Sequence, residues 1–542
     1  MIEFRTAPEQ YRHWRLAFAA PVAELILTVD PAAPLVPGYE LKLNSYDLGV
    51  DIELNDAIQR LRFEHPEIRT VILRSGRENV FCAGANIRML GQSGHGHKVN
   101  FCKFTNETRL AIEDASAHSG QSWLCAIAGP AAGGGYELAL ACDHIMLIDD
   151  RRSGISLPEL PLLAVLPGTG GLTRITDKRK VRRDLADLFC TTEEGVRGKR
   201  AVQWRLVDEV VPPSGWDAAV AHRAQALAER SDRPTNAPGI VLTPLARQLS
   251  GNDIVYPHLT VALDRAARRA SLTIAGPTAP PPASLADAQA QGDAFWPLAM
   301  ARALEDAILH LRFNEPELGL WLFRTEGAAD AVLAYDEFLV RHADHWLIRE
   351  IALYLKRTLK RLDVTSRSLI ALIEPGSCFA GSLAELAFAA DRSLIFAGPA
   401  AQLTLGAMNF GPLPTGNGLT RLATRFLGEP DTLAHAATLI GQPLGAESAA
   451  EAGLVTAAYD ETDWDDELRI LLEERASFSA DSLTGLEANL RFAGPETMET
   501  RIFGRLTAWQ NWIFLRPNAA GADGALSRYG TGQAPHFDRN RV

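Results

Sequence analysis

Residues 54–74 read LNDAIQRLRFEHPEIRTVILR and residues 304–324 read LEDAILHLRFNEPELGLWLFR, with ten of twenty-one positions identical. The match resumes as Glu137–Asp143 (ELALACD) against Glu385–Asp391 (ELAFAAD), and again as GLTR at Gly171–Arg174 and Gly418–Arg421. The offset between the copies drifts only from 250 to 248 to 247 residues, so the three landmarks keep their order and spacing. A chain of 542 residues with such a pattern has to fold as two copies of one domain of roughly 200 residues, rather than as a single large core.

Within each copy, helix-period segments such as Leu54–Phe63 alternate with short β-rich runs such as Thr70–Leu73 and with glycine turns, the texture of an α/β fold. Ala275–Ser284 (AGPTAPPPAS) reads as an extended proline-rich connection. The stripe Val261, Leu263, Ala267 before it reads as helical, which predicts a helical and proline-rich linker over 221–290. The expected organisation is a catalytic domain over 1–220, this linker, a degenerate second domain over 291–465 and a helical tail over 466–542. The tail carries Leu490, Phe503, Leu506, Trp509, Trp512 and Phe514, an apolar load expected to dock on a core or on a partner subunit.

Charge and composition remove several function classes. The 54 Lys and Arg against 66 Asp and Glu give a net charge of −12, so no global basic footprint exists for nucleic acid or an anionic membrane. No uncharged apolar run reaches the roughly 20 residues that cross a bilayer, and the N-terminal residues lack the pattern of a signal peptide. The six cysteines form no CxxC or metal-finger spacing, which predicts reduced, packed thiols in a cytoplasmic protein and no metal site. His95-Gly96-His97 has no third ligand at matching spacing and reads as a mobile loop.

Two glycine-rich stretches lead into helices: Phe81-Cys82-Ala83-Gly84-Ala85-Asn86 and Gly133-Gly134-Gly135-Tyr136-Glu137. A helix N-terminus offers unpaired N–H groups to an anion, and glycine lets a ligand approach the backbone closely. Gly168–Gly171 fits neither GxGxxG nor GxxxxGK(S/T), which sets a nucleotide loop aside.

The order of these elements is more specific than any one of them. CAGAxIR, then GGGxEL and CD, then Pro158-Glu159 and PGTGGLTRI, resembles the crotonase (enoyl-CoA hydratase/isomerase) superfamily, well over residues 20–215 and degenerately over 300–460. The resemblance implies tandem ββα-superhelix domains of that type. It also implies an oxyanion hole from the amides of Ala85 and Gly134, and acid–base work by Glu137 and Glu159. Lys42, Ala83 and Arg88 would lie along the CoA moiety, and Tyr136, before the first glutamate, would border the acyl pocket. An acyl-CoA thioester is then the partner, with no metal or redox cofactor, in a homo-oligomer that is most simply a dimer. The duplicated architecture and the tail motifs Arg516-Pro517-Asn518 and Phe537–Arg541 narrow the resemblance to a ring-cleaving branch. There a CoA ester derived from an aromatic acid gives a semialdehyde and formate. A hydratase or isomerase of linear acyl-CoA and a non-catalytic acyl-CoA- or RNA-binding scaffold are the alternatives. In the second copy the triple glycine is Gly381-Ser382-Leu383, and the second glutamate position falls on Ala407, so only the first copy is expected to be catalytic.

Overall fold

Two compact units, Phe4–Pro244 and Leu245–Val542 together with Met1–Glu3, make up the computed structural model, which describes residues 1–542. In the first unit, β1 (Trp14–Ala19) and β2 (Val22–Leu27) form an antiparallel hairpin. β2 continues in parallel through β3 (Thr70–Ser75), β4 (Ser122–Ile127), β5 (His144–Ile148) and β6 (Glu209–Val211). Parallel neighbours require crossovers, and α1 (Leu48–Phe63), α2 (His95–His118) and α3 (Gly134–Ala141) supply them. His95-Gly96-His97 therefore begins a helix rather than a loop.

A sheet covered on both faces needs apolar residues in succession rather than in alternation, and β4 meets this with Trp123–Ile127 all buried. Trp216, Val220, Ala224 and Leu227 of α5 (Trp216–Ala228) recur at helical spacing and close one face over Ile72, Leu124, Ala126 and Met146. Each large aliphatic side chain fully buried there, such as Leu124 or Met146, contributes roughly 1.5–3 kcal/mol. After α5, Arg233 ties the chain down by donating to the carbonyls of Pro66 (3.1 Å) and Arg62 (3.2 Å). The six cysteines are all free, as their spacing leads one to expect.

The second unit repeats this plan with an extension. Its sheet runs β7 (Gln248–Ser250), β8 (Asp253–Tyr256), β9 (Leu259–Asp264) and β10 (Arg269–Ala275) as an antiparallel meander. It then runs in parallel through β11 (Leu320–Glu326), β12 (Ser368–Ile373), β13 (Arg392–Phe396) and β14 (Ala457–Tyr459). The linker over 221–290 is thus corrected. Residues 221–228 complete a core helix of the first unit, and 248–275 are strands of the second. Val261 and Leu263 are buried between exposed Thr260 and Ala262, a period of two that the three-residue stripe concealed. β9 and β10 occupy the place of β1 and β2, so the second repeat starts before residue 291. Beyond Ala275, which ends β10, residues 276–283 carry no strand or helix up to Ser284, which caps the next helix, as the prolines predict. The tail is helical, but Leu490, Phe503, Phe514 and Leu515 remain exposed in the single chain.

Candidate active site

The site of the first unit grows from three loops at the ends of parallel strands. Asp47 caps α1 by accepting from the Gly49 amide at 2.9 Å. Its other oxygen accepts from the Leu35 amide and the Tyr39 hydroxyl, both at 2.7 Å. Asn44 is fully buried with φ +53°, in the left-handed region that asparagine tolerates. Its amide donates to Leu27 O (3.2 Å), Ser75 Oγ (3.0 Å) and Phe81 O (3.1 Å), pinning the loop between Leu41 and Tyr46 to the strand ends.

The second loop, residues 82–86, runs beside residues 131–134. Cys82 bridges Ala131, and the Ala132 amide donates to Cys82 O at 3.0 Å. Gly84 has φ +86°, and a β-carbon there would stand 2.8 Å from Ala132 O and 2.9 Å from Gly134 N. This close approach brings Ala85 and Gly134 together, and neither amide donates to a protein group. The triple glycine is required at each place. A β-carbon at Gly133 would lie 2.8 Å from Glu159 Oε1, one at Gly134 would overlap the Tyr46 hydroxyl, and one at Gly135 would overlap Cys82 O.

Glu137, in the first turn of α3, is 2% exposed. The Thr169 hydroxyl donates to one of its oxygens and the Gly171 amide to the other at 2.7 Å. Arg174 backs this arrangement: it donates to Thr169 O (3.2 Å) and pairs with Glu113 through two bonds of 2.9 and 3.0 Å. Glu159 opens the short helix α4 (Glu159–Leu163) against Gly133. Its Oε2 is buried and has no partner. Burial, and then the charge of Glu137, raise the Glu159 carboxyl to about 7. The two carboxyls therefore differ: one is held between donors, while the other exchanges its proton near neutrality.

Of the residues assigned to CoA, Ala83 and Arg88 are exposed, and Lys42 is exposed and paired with Glu40 at 3.0 Å. Tyr136 does not border an open pocket. It is fully buried, its hydroxyl donates to Leu206 O at 2.7 Å and its ring meets Phe189 edge-on, so it packs the core. Asn44, Tyr46 and Arg109 also build the site and carry no motif of their own, and Thr169 builds it from inside PGTGG, where no sequence pattern assigns it a role. Only proximity to the lysine loop signals Asn44 and Tyr46, and nothing signals Arg109.

In the second unit the matching positions are closed. The Ser382 amide donates to Asp336 Oδ2 at 2.6 Å, and Glu385 is held by Asn409 (2.7 Å) and Arg421 (3.0 Å).

Two unpaired amides at a helix start, with two unequal carboxyls beside them, form a site for an anion that arises during reaction, as from a thioester. The chain belongs to the enoyl-CoA hydratase/isomerase family, whose model matches residues 40–238 and 350–507. A benzoyl-CoA-dihydrodiol lyase from Aromatoleum evansii is 56% identical over 544 residues, spanning 100% of this chain and 98% of that protein. Among solved structures, the enoyl-CoA hydratase of Geobacillus kaustophilus HTA426 is 32% identical, covering 40% of this chain and 75% of its own, at a TM-score of 0.36. That of Bacillus anthracis is 25% identical, covering 40% and 76%, at 0.34.

Proposed function

We propose that this chain is a ring-cleaving lyase of the kind its full-length relative is named for. It would convert 2,3-epoxybenzoyl-CoA and two waters to 3,4-didehydroadipyl-CoA semialdehyde and formate, in the aerobic breakdown of benzoate. The observation that carries the reading is the pairing of Glu159, raised to about 7 with a free buried oxygen, with the unpaired amides of Ala85 and Gly134. The 56% identity along the whole chain selects the substrate.

The chemistry follows from one recurring anion. The epoxide opens to its seven-membered oxepin form. Glu159 takes a proton from a water oriented by Glu137, and that water adds to C2, β to the thioester. The electron pair moves onto the thioester oxygen, where Ala85 and Gly134 donate to it. The enolate is protonated at C1. The hemiacetal then collapses: its C2 hydroxyl loses a proton and the bond from C2 to the ring oxygen breaks. This leaves an aldehyde at C2 and an enol at C3, which takes a proton at C4 and becomes the aldehyde of the product. A second water adds there, the C1–C2 bond breaks, formate leaves and the same enolate returns, to be protonated at C1. Both steps move water, protons and one carbon–carbon bond without net electron transfer, so they call for no redox cofactor, and the amides of Ala85 and Gly134 take the role a metal would have at the enolate oxygen. Lys42 and Arg88 serve the CoA phosphates, which an acidic protein has to meet with local cations.

The protein is further proposed to act in the cytoplasm as a homodimer, without nucleic acid or membrane partners. No helix is long and apolar enough to cross a membrane. The exposed Leu490, Phe503, Phe514 and Leu515 support a subunit contact through the tail. Light scattering that returned the 58.9 kDa of one chain at micromolar concentration would rule the dimer out.

Formate is the decisive readout. Incubation with 2,3-epoxybenzoyl-CoA is expected to release one formate per CoA ester consumed. Hydration of a linear enoyl-CoA at higher kcat/KM, with no formate from the epoxide, would replace this reading with that of a hydratase.

A further inference from the structure

Beneath the two amides lies a buried charged cluster that the reaction scheme does not use. Arg109, on α2, has no exposed surface. Its Nη2 donates to the Tyr46 hydroxyl at 3.0 Å and to Gly134 O at 3.3 Å, and its Nη1 donates to Thr105 O at 3.1 Å. Asp51 stands 3.7 Å from the guanidinium and accepts from the Thr105 hydroxyl. The guanidinium carbon also lies 5.5 Å from the centre of the Tyr46 ring.

Tyr46 reaches both halves of the oxyanion hole. Its amide donates to Gly84 O at 3.0 Å and its carbonyl accepts from the Asn86 amide at 2.8 Å, so it pairs with the peptide groups on either side of Ala85. In such a pairing the N–H of the middle residue faces away from the partner strand, and the Ala85 amide is left unpaired. The hydroxyl of the same tyrosine packs on the α-carbon of Gly134, where a β-carbon would come within 1.9 Å of it. One residue therefore touches the segment carrying one donor by its backbone and the residue supplying the other by its side chain.

The second unit carries no charge at these positions. At the 250-residue offset of the Leu54–Arg74 match, the positions of Tyr46, Asp51 and Arg109 fall on Trp296, Ala301 and Leu359, all buried. The second unit packs its corresponding helix pair, α6 (Trp296–Asn314) and α7 (Trp346–Asp363), with apolar side chains at these positions. A buried ion pair is costly, and replacing it by well-packed apolar residues is often neutral or stabilising. The second unit does bury an ion pair between the same helices, Arg361 with Glu305 at 2.7 Å, but at other positions. A charge cluster reaching Tyr46 and the Gly134 peptide is found only in the repeat with open amides, and that placement asks for a role.

We propose that Tyr46 is a positioning residue that sets the Ala85 and Gly134 amides for the enolate, and that Arg109, fixed by Asp51, holds its hydroxyl and the Gly134 peptide in place. This rests on the oxyanion-hole reading of those amides. Tyr46→Phe keeps the ring and the backbone pairing while removing the hydroxyl. The double variant Asp51→Ala/Arg109→Leu transplants the second repeat's residues and leaves no unpaired charge. Both are expected to fold and to bind benzoyl-CoA with KM for substrate within about threefold, while kcat falls by about tenfold or more, the scale of a small misplacement of catalytic donors.

The deciding measurement is the infrared carbonyl stretch of bound, carbonyl-labelled benzoyl-CoA. It should move to lower frequency on wild-type protein and return toward the solution value on the variants. Should the wild-type protein leave the stretch unmoved, the oxyanion hole fails and the positioning role with it. A full wild-type shift and undiminished kcat in the folded double variant and in Tyr46→Phe would overturn the positioning role alone. Loss of activity with an unchanged shift would assign the cluster to stability instead.

Discussion

In the first repeat Glu137 and Glu159 lie beside two open amides, whereas the second repeat has built a carboxylate of its own into the matching place. Ser382, which stands where Gly134 does, donates its amide to Asp336 at 2.6 Å. A β-carbon at Gly381 would overlap that carboxylate, so the two have closed on one another. Glu385 matches Glu137, but it is bound by Arg421 at 3.0 Å and by Asn409 at 2.7 Å. Arg174 and Arg421 occupy the same GLTR motif and both pair with an acidic residue of the long helix, Glu113 and Asp363. In the first repeat the arginine stops there and reaches Glu137 only through Thr169. The ion pair is therefore architecture common to both repeats. What separates a working site from a structural one is whether the amide is left free of protein partners and the glutamate clear of the arginine.

The sharpest way to break this comparison is to remove the carboxyls of the open site. Glu159→Gln and Glu137→Gln should each lower kcat by at least about a hundredfold, the scale of losing a positioned acid or base. Steady-state formate release checks this, and a loss below tenfold for Glu159→Gln would remove it from proton transfer. The pH dependence adds a sign. A carboxyl raised to about 7 is neutral below that pH and charged above it. As the base it should give a kcat/KM that climbs through about pH 7 to a plateau. Because the Glu137 charge contributes to the shift, Glu137→Gln should move Glu159's titration to lower pH, which carbon NMR of labelled glutamate can follow.

A smaller effect belongs to the CoA side. Arg88 is exposed at the start of the helix Ile87–Gln92 and has no protein partner. Arg88→Ala should raise KM by about five- to tenfold with kcat nearly unchanged, the mark of binding shared by ground and transition states. A large fall in kcat at constant KM would move Arg88 into the chemistry.

Much of this contrast is legible in the sequence. The repeat, the α/β texture and the positions of Glu137, Glu159, Ala85 and Gly134 come from motifs in which each residue type is demanded by close backbone approach or by acid–base chemistry. The start of the second repeat was hidden because β9 and β10 share only their alternation with β1 and β2, and a strand face tolerates many apolar residues in that role. The loss of the triple glycine at Gly381-Ser382-Leu383 signals that the second site is not open, yet the contact that closes it comes from Asp336, 46 residues before Ser382, which only folding reveals. Tyr136 misled for the opposite reason. Its neighbour Glu137 faces the site, but consecutive residues of a helix point about 100° apart, and Tyr136 turns into the core.

Asp336 gives the closed site its own signature. Burial raises its carboxyl to about 7, with a further push from Glu385, against the ordinary 3.8. The folded state thus favours the protonated form. The associated stability is complete below pH 3.8 and is lost as the pH rises to about 7. Asp336→Asn keeps an oxygen for the Ser382 amide and carries no charge. Its thermal midpoint relative to wild type should rise by a few degrees between pH 5 and pH 8, since each kcal/mol is worth about 2–4 °C in a unit of this size. A difference that stays constant across that range would mean that Asp336 is ionised in both states.

The comparison is sharpest where nothing should happen. Glu385→Gln changes the residue that aligns with Glu137, and a site that retained chemistry would report it. Arg421 keeps both bonds to Asp363, at 3.0 and 2.8 Å, so the substitution leaves no buried cation without an anion. The glutamine oxygen can still accept from Asn409. The variant is therefore expected to fold, with kcat for formate release within about twofold of wild type. Calorimetry with benzoyl-CoA should find one site per chain in both proteins, because the Ser382 amide is already engaged by Asp336 and has no donor to offer an enolate. Two equivalent sites per chain, or a folded Glu385→Gln protein without activity, would mean that the second repeat opens in solution and that its carboxylate is displaced by substrate.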